Sequence, residues 1–292
     1  MDTRFEPAAL DSIVVSGLGA ALALPCPSEQ YLKTPKNRKF MGGQDHLGVC
    51  AAGRALESAD LNPAKLGPNA GLFLAVGFIP FERADIDALI KGSLEGEHIS
   101  LRRFGTDGFA AVNPLLTFRC LPNMPAYHVS ACFDIQGEYF VTYPGLGQFY
   151  LALSEAVDAL TSGRVTVALV GAVAHQKNFL VAHHYGRLQR PVPESDLRDG
   201  AGFLVLERNT EHTARGGPVR GRLLDLRIAY SPGDPFLEEM QFAGVLRGCP
   251  VPDGEFGSAT LVVALAASKS CTVRHELRAR DGILAASRWE LS

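Results

Sequence analysis

The sequence predicts a mixed α/β fold, and three observations support this prediction. Residues 137–171 read as a strand, a sharp turn, a helix and a second strand. Further buried strands are predicted at 12–19 and 72–76, and helices at 41–59 and 85–91. In addition, 47% of the residues are hydrophobic and only 20% are charged, which favours helices wrapped between layers over helices exposed to solvent.

The stretch 137–171 organises the rest of the chain. Residues 139–143 are β-branched and aromatic, which suits a buried strand, and Pro-Gly-Leu-Gly at 144–147 turns the chain sharply. A helical stripe then begins at Leu146, because apolar residues occur at 146, 149, 150, 153, 156, 157 and 160. Gly163 ends this helix before a strand at 165–170. The pattern therefore places Leu146 against a helix N-terminus, where enzymes of several folds carry a nucleophile.

The bulk properties exclude several classes of partner. A net charge of −3 and a pI near 6.2 give no indication of nucleic acid or an anionic membrane as a partner. The six cysteines show neither a C-x-x-C pair nor zinc-ligand spacing, which fits a reducing compartment and no bound metal. No apolar run approaches the ~20 residues of a membrane span. The sequence thus predicts a soluble, cytoplasmic protein.

No cofactor is predicted. The strand at 12–19 ends in Gly17-Leu18-Gly19, which suggests a glycine turn, but a dinucleotide-binding loop would need a small residue at Leu22 and a helix directly after it. Pro25 and Pro27 stand there instead. His175, His183 and His184 have no carboxylate or thiol close by in sequence, so structural or surface roles are predicted for them rather than metal binding.

Two more segments carry a resemblance to a known family. Residues 113–130 include Pro-Leu, Leu-Pro-Asn-Met-Pro and His-Val-Ser, and residues 200–208 read Gly-Ala-Gly-Phe-Leu-Val-Leu-Glu-Arg. With the elbow at 144–147, these segments resemble β-ketoacyl synthases in the family's order over residues 11–208. The resemblance implies a thiolase-like layered αβαβα fold. It implies a complete N-terminal half at 1–208 and a reduced C-terminal half at 209–292, packed on the first as one unit.

The resemblance also implies that the nucleophile is missing. The family's pattern is Gly-Pro, five residues and Thr-Ala-Cys-Ser-Ser, so its cysteine lies nine positions after the glycine. Nine positions after Gly137 stands Leu146, and counting back from the following helix gives the same residue. A leucine side chain has no lone pair and cannot carry a thioester, so no catalytic residue is predicted. Gln148, two positions on, is similar to the glutamine that many chain-length factors carry at the nucleophile position.

Beyond residue 210 the match to the family weakens. The His-Gly-Thr motif is absent, and only residues 254–261 resemble the small-residue helix start at the family's second motif. In that alignment Pro250 takes the place of the lysine and Glu255 that of the histidine. Residues 271–291 are predicted to form a hairpin at Asp281-Gly282, with a type I′ turn. The second half therefore resembles a compressed version of the family's second half, without its active-site loops.

Aromatic residues are dense around the elbow. Core packing is their ordinary role, but the resemblance to chain-length factors implies that some close an acyl tunnel or contact a partner subunit. His128 and Cys132, in the same region, are predicted to be buried core residues rather than a base and a reactive thiol. The candidates for the tunnel or the interface are Phe109, Phe118, Phe133, Phe140, Leu146 and Gln148.

Taken with the missing nucleophile, the resemblance implies a non-catalytic, chain-length-factor-like partner of an active ketosynthase. The short second half is similar to that of partners in highly reducing, polyene-forming type II polyketide systems. The implied partners are an active ketosynthase, in a heterodimer, and an acyl carrier protein. Two alternatives stay open: an acyltransferase or hydrolase that acts on acyl-carrier-protein thioesters through a non-standard residue, and a pure scaffold.

Overall fold

The computed structural model of the chain describes residues 2–63, 66–187, 191–231, 244–250, 252–279 and 281–292. The strands are β1 (Asp2–Arg4), β2 (Ile13–Ala21), β3 (Ala70–Val76), β4 (Leu94–Glu95), β5 (His98–Ile99), β6 (Tyr139–Thr142), β7 (Val167–Ala174), β8 (Gly200–Arg208), β9 (Gly221–Tyr230), β10 (Val245–Arg247), β11 (Cys271–Arg278) and β12 (Ile283–Leu291). The α-helices are α1 (Pro7–Asp11), α2 (Gly43–Ser58), α3 (Arg83–Ser93), α4 (Leu101–Arg103), α5 (Leu116–Cys120), α6 (Met124–Phe133), α7 (Gln148–Thr161), α8 (Phe179–Gly186), α9 (Asn209–Arg215) and α10 (Thr260–Ala267).

Ten of the strands form one sheet that spans the whole described chain. Nine of them run in the order β10-β11-β12-β9-β2-β8-β7-β3-β6, and β1 pairs with β9. β6 and β7 flank β3 and are parallel to it, whereas the other pairs are antiparallel. The N-terminal and C-terminal parts of the sheet meet at β2 and β9, through the pair Val15–Gly221.

Helices cover the two faces of the N-terminal part of the sheet. Successive residues of a strand point to opposite faces, and β3 follows this rule: Leu72 and Leu74 pack in one apolar core with α2 and α6, whereas Phe73 packs in a second core with α7 and α10. The C-terminal strands place Trp289 and other inward residues in that second core. Helices α7 and α10 are therefore enclosed between the two parts of the sheet.

The C-terminal part repeats a shortened version of the N-terminal arrangement. In the N-terminal part, α7 is followed by the antiparallel strands β7 and β8, and β8 pairs with β2. In the C-terminal part, α10 is followed by the antiparallel strands β11 and β12, and β12 pairs with β9. The outward residues of β11 and β12 alternate with buried ones, and those such as Arg274 and Glu290 are exposed. This outer face is open to solvent along the described strands.

The predicted elements at 41–59, 72–76, 85–91, 165–170 and 200–208 are confirmed, with boundaries shifted by up to four residues. The glycine turn predicted at Gly17-Leu18-Gly19 is wrong, because β2 continues through both glycines to Ala21. A Cβ atom at Gly17 or Gly19 would lie only 2.2 or 2.3 Å from a carbonyl oxygen of α2. The glycines are there because the helix packs directly on the strand.

Two further predictions need correction. The composition of the strand at 139–143 suits burial, whereas the family resemblance implies that it is the sheet edge that joins two subunits. β6 is the last strand at one end of the sheet, and Tyr139 is 50% exposed, so burial of the whole strand is wrong. The hairpin of β11 and β12 is confirmed, but Asp281 and Gly282 do not form a two-residue type I′ turn, since the Ala279 N–H donates to the carbonyl of Ile283 at 2.8 Å and closes a longer loop. The Gly282 N–H instead donates to the carbonyl of Ala279 at 3.0 Å.

Candidate functional site

The elbow between β6 and α7 has the geometry that the sequence predicts. The chain leaves β6 after Thr142 and enters α7 at Gln148, with Leu146 between them and Gly145 at a φ of 143°. The β11–β12 turn packs tightly against this elbow. A Cβ atom at Gly145 would lie 2.5 Å from the carboxylate of Asp281, so glycine is required there for both the backbone conformation and the close contact.

A pocket of about 100 Å³ lies beside Leu146. Its walls come from the carboxyl ends of the three parallel strands, a common location for ligands in α/β sheets, and from the start of α10. Its rim includes the exposed ring of His184, and its floor is buried. The lining residues are Gly77, Phe78, Gly145, Leu146, Ala174, Gln176, His184, Tyr185, Gly257, Ser258 and Asp281.

Two polar groups at the pocket differ in how they are satisfied. Asp281 accepts a hydrogen bond from the Gln148 side chain at 3.0 Å and one from the Ile283 amide at 3.3 Å. Ser258 is only 6% exposed, and its hydroxyl has no hydrogen-bond partner. A buried hydroxyl without a partner is uncommon, because its desolvation is not compensated.

Glu255, which the alignment puts in the place of the histidine, is not among the residues that line the pocket. Its carboxylate accepts a hydrogen bond from the Gly257 amide at 2.7 Å, and its backbone bridges to Leu197. Ser258, three residues further on, lines the pocket instead. Burial raises the pKa of Glu255 to about 7, against the opposing effect of the bond from Gly257. Glu255 is thus a buried carboxyl beneath the pocket.

A buried hydrogen-bond network connects α7 to the C-terminal hairpin. The Tyr150 hydroxyl lies 2.7 Å from Nδ1 of His275 and 2.8 Å from the hydroxyl of Ser287, and the Trp289 indole donates to Ser287 at 2.9 Å. A second cavity of about 10 Å³ lies here, and Leu146, Ser258 and His275 are among its lining residues. Leu146 therefore lies between the two cavities.

The aromatic candidates fall into different environments. Phe109 is 63% exposed and Phe118 is 45% exposed, whereas Phe140 is partly buried against the core that contains α7. Phe133 is 2% exposed and packs edge-on against Tyr31 with ring centroids 5.6 Å apart. The structure does not bring the four phenylalanines together at the pocket, and their role at a tunnel or an interface stays a prediction.

The remaining candidates have ordinary buried or surface positions. Burial lowers the pKa of His128 to about 4, which keeps the ring neutral, and raises the pKa of Cys132 to about 11. His175 lies against Gly43, 3.9 Å from Asp199, and is separate from the exposed His183 on α8. No helix in the described ranges is long and apolar enough to cross a membrane.

Sequence reasoning missed three polar residues of the pocket, namely Gln176, Ser258 and Asp281. Two of them had a signal in the sequence. Ser258 lies within the small-residue helix start at 254–261, and Asp281 belongs to the predicted hairpin turn. Neither sequence pattern predicts which distant residues lie beside the side chains of Ser258 and Asp281.

A family model matches this part of the chain. The model of the β-ketoacyl synthase N-terminal domain matches residues 25–190, which include the elbow, and the chain belongs to this family. No curated protein matches the sequence.

Solved structures show the same fold. A chain of the AntDE:AntF complex, a type II polyketide synthase acyl-carrier protein with its ketosynthase bound to the hexaketide, is 15% identical with a TM-score of 0.70. A chain of the ishigamide ketosynthase/chain length factor is 16% identical with a TM-score of 0.66. Both matches cover 96% of this chain and 99% of the other. A β-ketoacyl synthase from Burkholderia phymatum STM815 is 17% identical with a TM-score of 0.58, over 77% of this chain and 66% of its own. The fold is thiolase-like.

Proposed function

We propose that this chain is a non-catalytic, chain-length-factor-like partner of an active ketosynthase in a type II polyketide system. The observation that carries the proposal is Leu146 at the elbow, where the family pattern has its cysteine. Acyl transfer by a ketosynthase requires a thiolate, and leucine supplies no nucleophile. The active partner supplies the chemistry, and this chain completes the dimer and shapes the acyl tunnel.

The length of the chain supports the chain-length-factor role. The structure of the ishigamide ketosynthase/chain length factor matches over nearly the full length of both chains, whereas the Burkholderia ketosynthase matches over a smaller part of each. The reduced C-terminal half, which shares one sheet with residues 1–208, is consistent with one folding unit. More specifically, we propose that the chain acts in a highly reducing, polyene-forming polyketide system in the cytoplasm.

A free sheet edge supports the dimer. β6 pairs with β3 on one side, and the Leu72 N–H donates to the Glu138 carbonyl at 2.8 Å. In a parallel pair this pattern turns the Tyr139 N–H away from β3, toward the open edge. Nine of the fifteen exposed large hydrophobic side chains in the described ranges fall within residues 99–143, the segment that leads into and out of this edge. An open strand edge with apolar neighbours is an association site.

Hydrolase or acyltransferase activity has less support. One candidate for a replacement nucleophile is the Ser258 hydroxyl, a buried group in the lining of the pocket. Activation of a serine requires a base within hydrogen-bond reach, and this hydroxyl has no partner. Burial also keeps the Cys132 thiol protonated at neutral pH.

The proposal is tested by co-expression with a ketosynthase encoded beside this chain. We expect a soluble heterodimer that buries on the order of 2,000 Å² or more, and condensation that depends on the cysteine of the partner. Acyl carrier protein loaded with malonyl and acyl groups is the substrate. The proposal is wrong if the chain is a stable monomer that does not bind the ketosynthase, or if it hydrolyses acyl-carrier-protein thioesters alone.

Two variants of Tyr139 test whether the partner pairs with the open edge of β6. Tyr139→Pro removes the outward N–H donor, whereas Tyr139→Thr keeps the donor, suits a strand and removes only the ring. We expect the proline variant to weaken the heterodimer more than the threonine variant in analytical ultracentrifugation. Equal affinities would exclude strand pairing at this edge.

A further inference from the structure

The pocket beside Leu146 combines an apolar wall with a few convergent polar groups, a combination typical of small-molecule sites. Phe78, Leu146 and Ala174 supply the apolar surface, and Ser258, Gln176 and Asp281 supply the polar groups. Burial increases from the exposed His184 at the rim to Ala174 and Gln176 at the floor, which are 1% and 2% exposed. The pocket is thus open at one end and lined by buried residues at the other.

The unpartnered hydroxyl of Ser258 indicates that the pocket is built to hold a ligand. Gln176, by contrast, already donates to the Tyr185 hydroxyl at 3.2 Å. The Ser258 hydroxyl is buried and lines the pocket, yet it makes no hydrogen bond within the protein. A ligand atom that accepts a hydrogen bond from this hydroxyl, or donates one to it, would satisfy it at no further cost of burial, because that cost is already present in the folded chain.

The charges around the pocket select against an anion. The Asp281 carboxylate lines the wall, and the Glu255 carboxyl lies behind Gly257, to whose amide it is bonded. Among the described residues, the Arg198 side chain pairs with Asp253 and donates to the carbonyl of Leu197 rather than to a group of the pocket. A carboxylate ligand would meet the charge of Asp281 in a partly desolvated site, and an ammonium ligand would lose hydration at the buried floor, where the Gln176 amide already donates to Tyr185.

We propose that this pocket binds a short, uncharged aliphatic molecule that carries an amide or alcohol group, with the Ser258 hydroxyl as its hydrogen-bond partner. A volume of about 100 Å³ holds about four or five non-hydrogen atoms, since an engineered cavity of about 150 Å³ holds benzene. The aliphatic part lies against Leu146 and Phe78. The binding is reversible, because leucine at the elbow leaves no nucleophile to trap the ligand. This site goes beyond the partner role and does not depend on it.

The test uses three probes of the same length and different charge: propanamide, propionate and propylammonium. Binding is measured on the full chain, alone or with its ketosynthase partner, with methyl-labelled leucine in this chain only. The Leu146 signals are assigned with a Leu146→Met variant and followed during titration. We expect saturable shifts with propanamide in the millimolar range, and at least tenfold weaker binding of propionate and propylammonium.

A matched pair of serine variants tests the hydrogen bond. We expect Ser258→Ala to weaken propanamide binding about three- to tenfold, the usual effect of one neutral hydrogen bond. Ser268→Ala, at the other end of α10, removes a hydroxyl that bonds to the Ala264 carbonyl outside the pocket and leaves binding unchanged. If the alanine variant is poorly folded, Ser258→Cys keeps the shape with a weaker donor and should give the same loss.

Three results would overturn the inference. Propanamide that gives no saturable shift at Leu146 would show that the pocket takes no such ligand. Propionate that binds as tightly as propanamide would exclude the charge selection. An unchanged affinity in Ser258→Ala would exclude the assigned partner. None of these results affects the heterodimer, so failure here is distinct from failure of the proposed function.

Discussion

The side-chain nitrogen of Gln148 lies 3.0 Å from Oδ2 of Asp281, which joins the start of α7 to the β11–β12 turn across 133 residues of sequence. The same carboxylate accepts the amide of Ile283 at 3.3 Å. The elbow is thereby closed by the C-terminal hairpin, and a negative charge stands beside Leu146 in the pocket. This relationship explains how the reduced C-terminal half contributes to the site.

We expect Asp281→Ala to lower the free energy of unfolding by about 1–3 kcal/mol, because the Gln148 and Ile283 donors lose their charged acceptor. Urea denaturation measures the change. Asp253→Ala is the control, since its side chain is fully exposed in its contact with Arg198 and its loss should be undetectable. Equal stability of the two variants would mean that Asp281 does not hold the elbow.

Leu146→Cys is expected to react with iodoacetamide but not to restore condensation. The helix N-terminus favours the thiolate, but the sequence lacks the His-Gly-Thr motif of the family, and loss of one oxyanion donor costs ~10²–10³ in rate. The Asp281 carboxylate also raises the pKa of a nearby thiol, so Leu146→Cys/Asp281→Asn should alkylate faster at neutral pH.

This assay uses a partner whose own cysteine is replaced by alanine, which removes background condensation. Product formed by the Leu146→Cys chain in that complex would contradict the non-catalytic assignment. An alkylation rate that does not change with Asp281→Asn would show that the carboxylate does not act on position 146.

Glu255→Gln should change how stability depends on pH. The pKa of Glu255 is about 7 in the folded chain and near 4.5 when unfolded, so the folded state holds an extra proton between these values. The stability of the chain with respect to Glu255 is therefore highest below about pH 4.5, and it falls as the pH rises through 7. The variant, which does not titrate, should gain about 2–3 kcal/mol relative to the wild type between pH 5 and pH 8.

Urea unfolding at the two pH values measures this difference. Glu290→Gln, an exposed residue of β12, is the control and should show no pH-dependent difference. A Glu255→Gln variant that loses stability in parallel with the wild type would show that this carboxyl does not titrate between pH 5 and pH 8.

Alanine variants of the candidate phenylalanines should differ in whether they change the stability of the chain or the length of the product. Phe133→Ala is expected to cost ~3–5 kcal/mol, because the ring is fully packed in the core beside Tyr31. Phe109→Ala and Phe118→Ala should leave stability nearly unchanged, since both rings are exposed. If either ring, or that of Phe140, closes the tunnel, its alanine variant should lengthen the product of the reconstituted pair.

Thermal unfolding and mass spectrometry of the products provide the two readouts. Unchanged product lengths for Phe109→Ala, Phe118→Ala and Phe140→Ala, with the heterodimer intact, would favour the pure scaffold. A large loss of stability on Phe109→Ala would instead place this ring in a buried contact.

The sequence by itself determined the local elements at the elbow. The strand, turn and helix around Leu146 could be predicted because strand propensity, glycine and proline geometry, and the helical stripe are local properties. The elbow pattern then predicts that Leu146 stands where the family has its cysteine. The hairpin at Asp281-Gly282 was predictable for the same reason.

Only the tertiary structure decided what surrounds Leu146. Strand order made β6 an exposed edge, although its composition suits a buried strand. Packing of the two parts of the sheet around α7 and α10 brought Asp281 to Gln148 and placed Ser258, rather than Glu255, in the pocket. These contacts join residues more than a hundred positions apart, and local patterns do not specify such pairs, because long-range pairing follows from how whole elements pack.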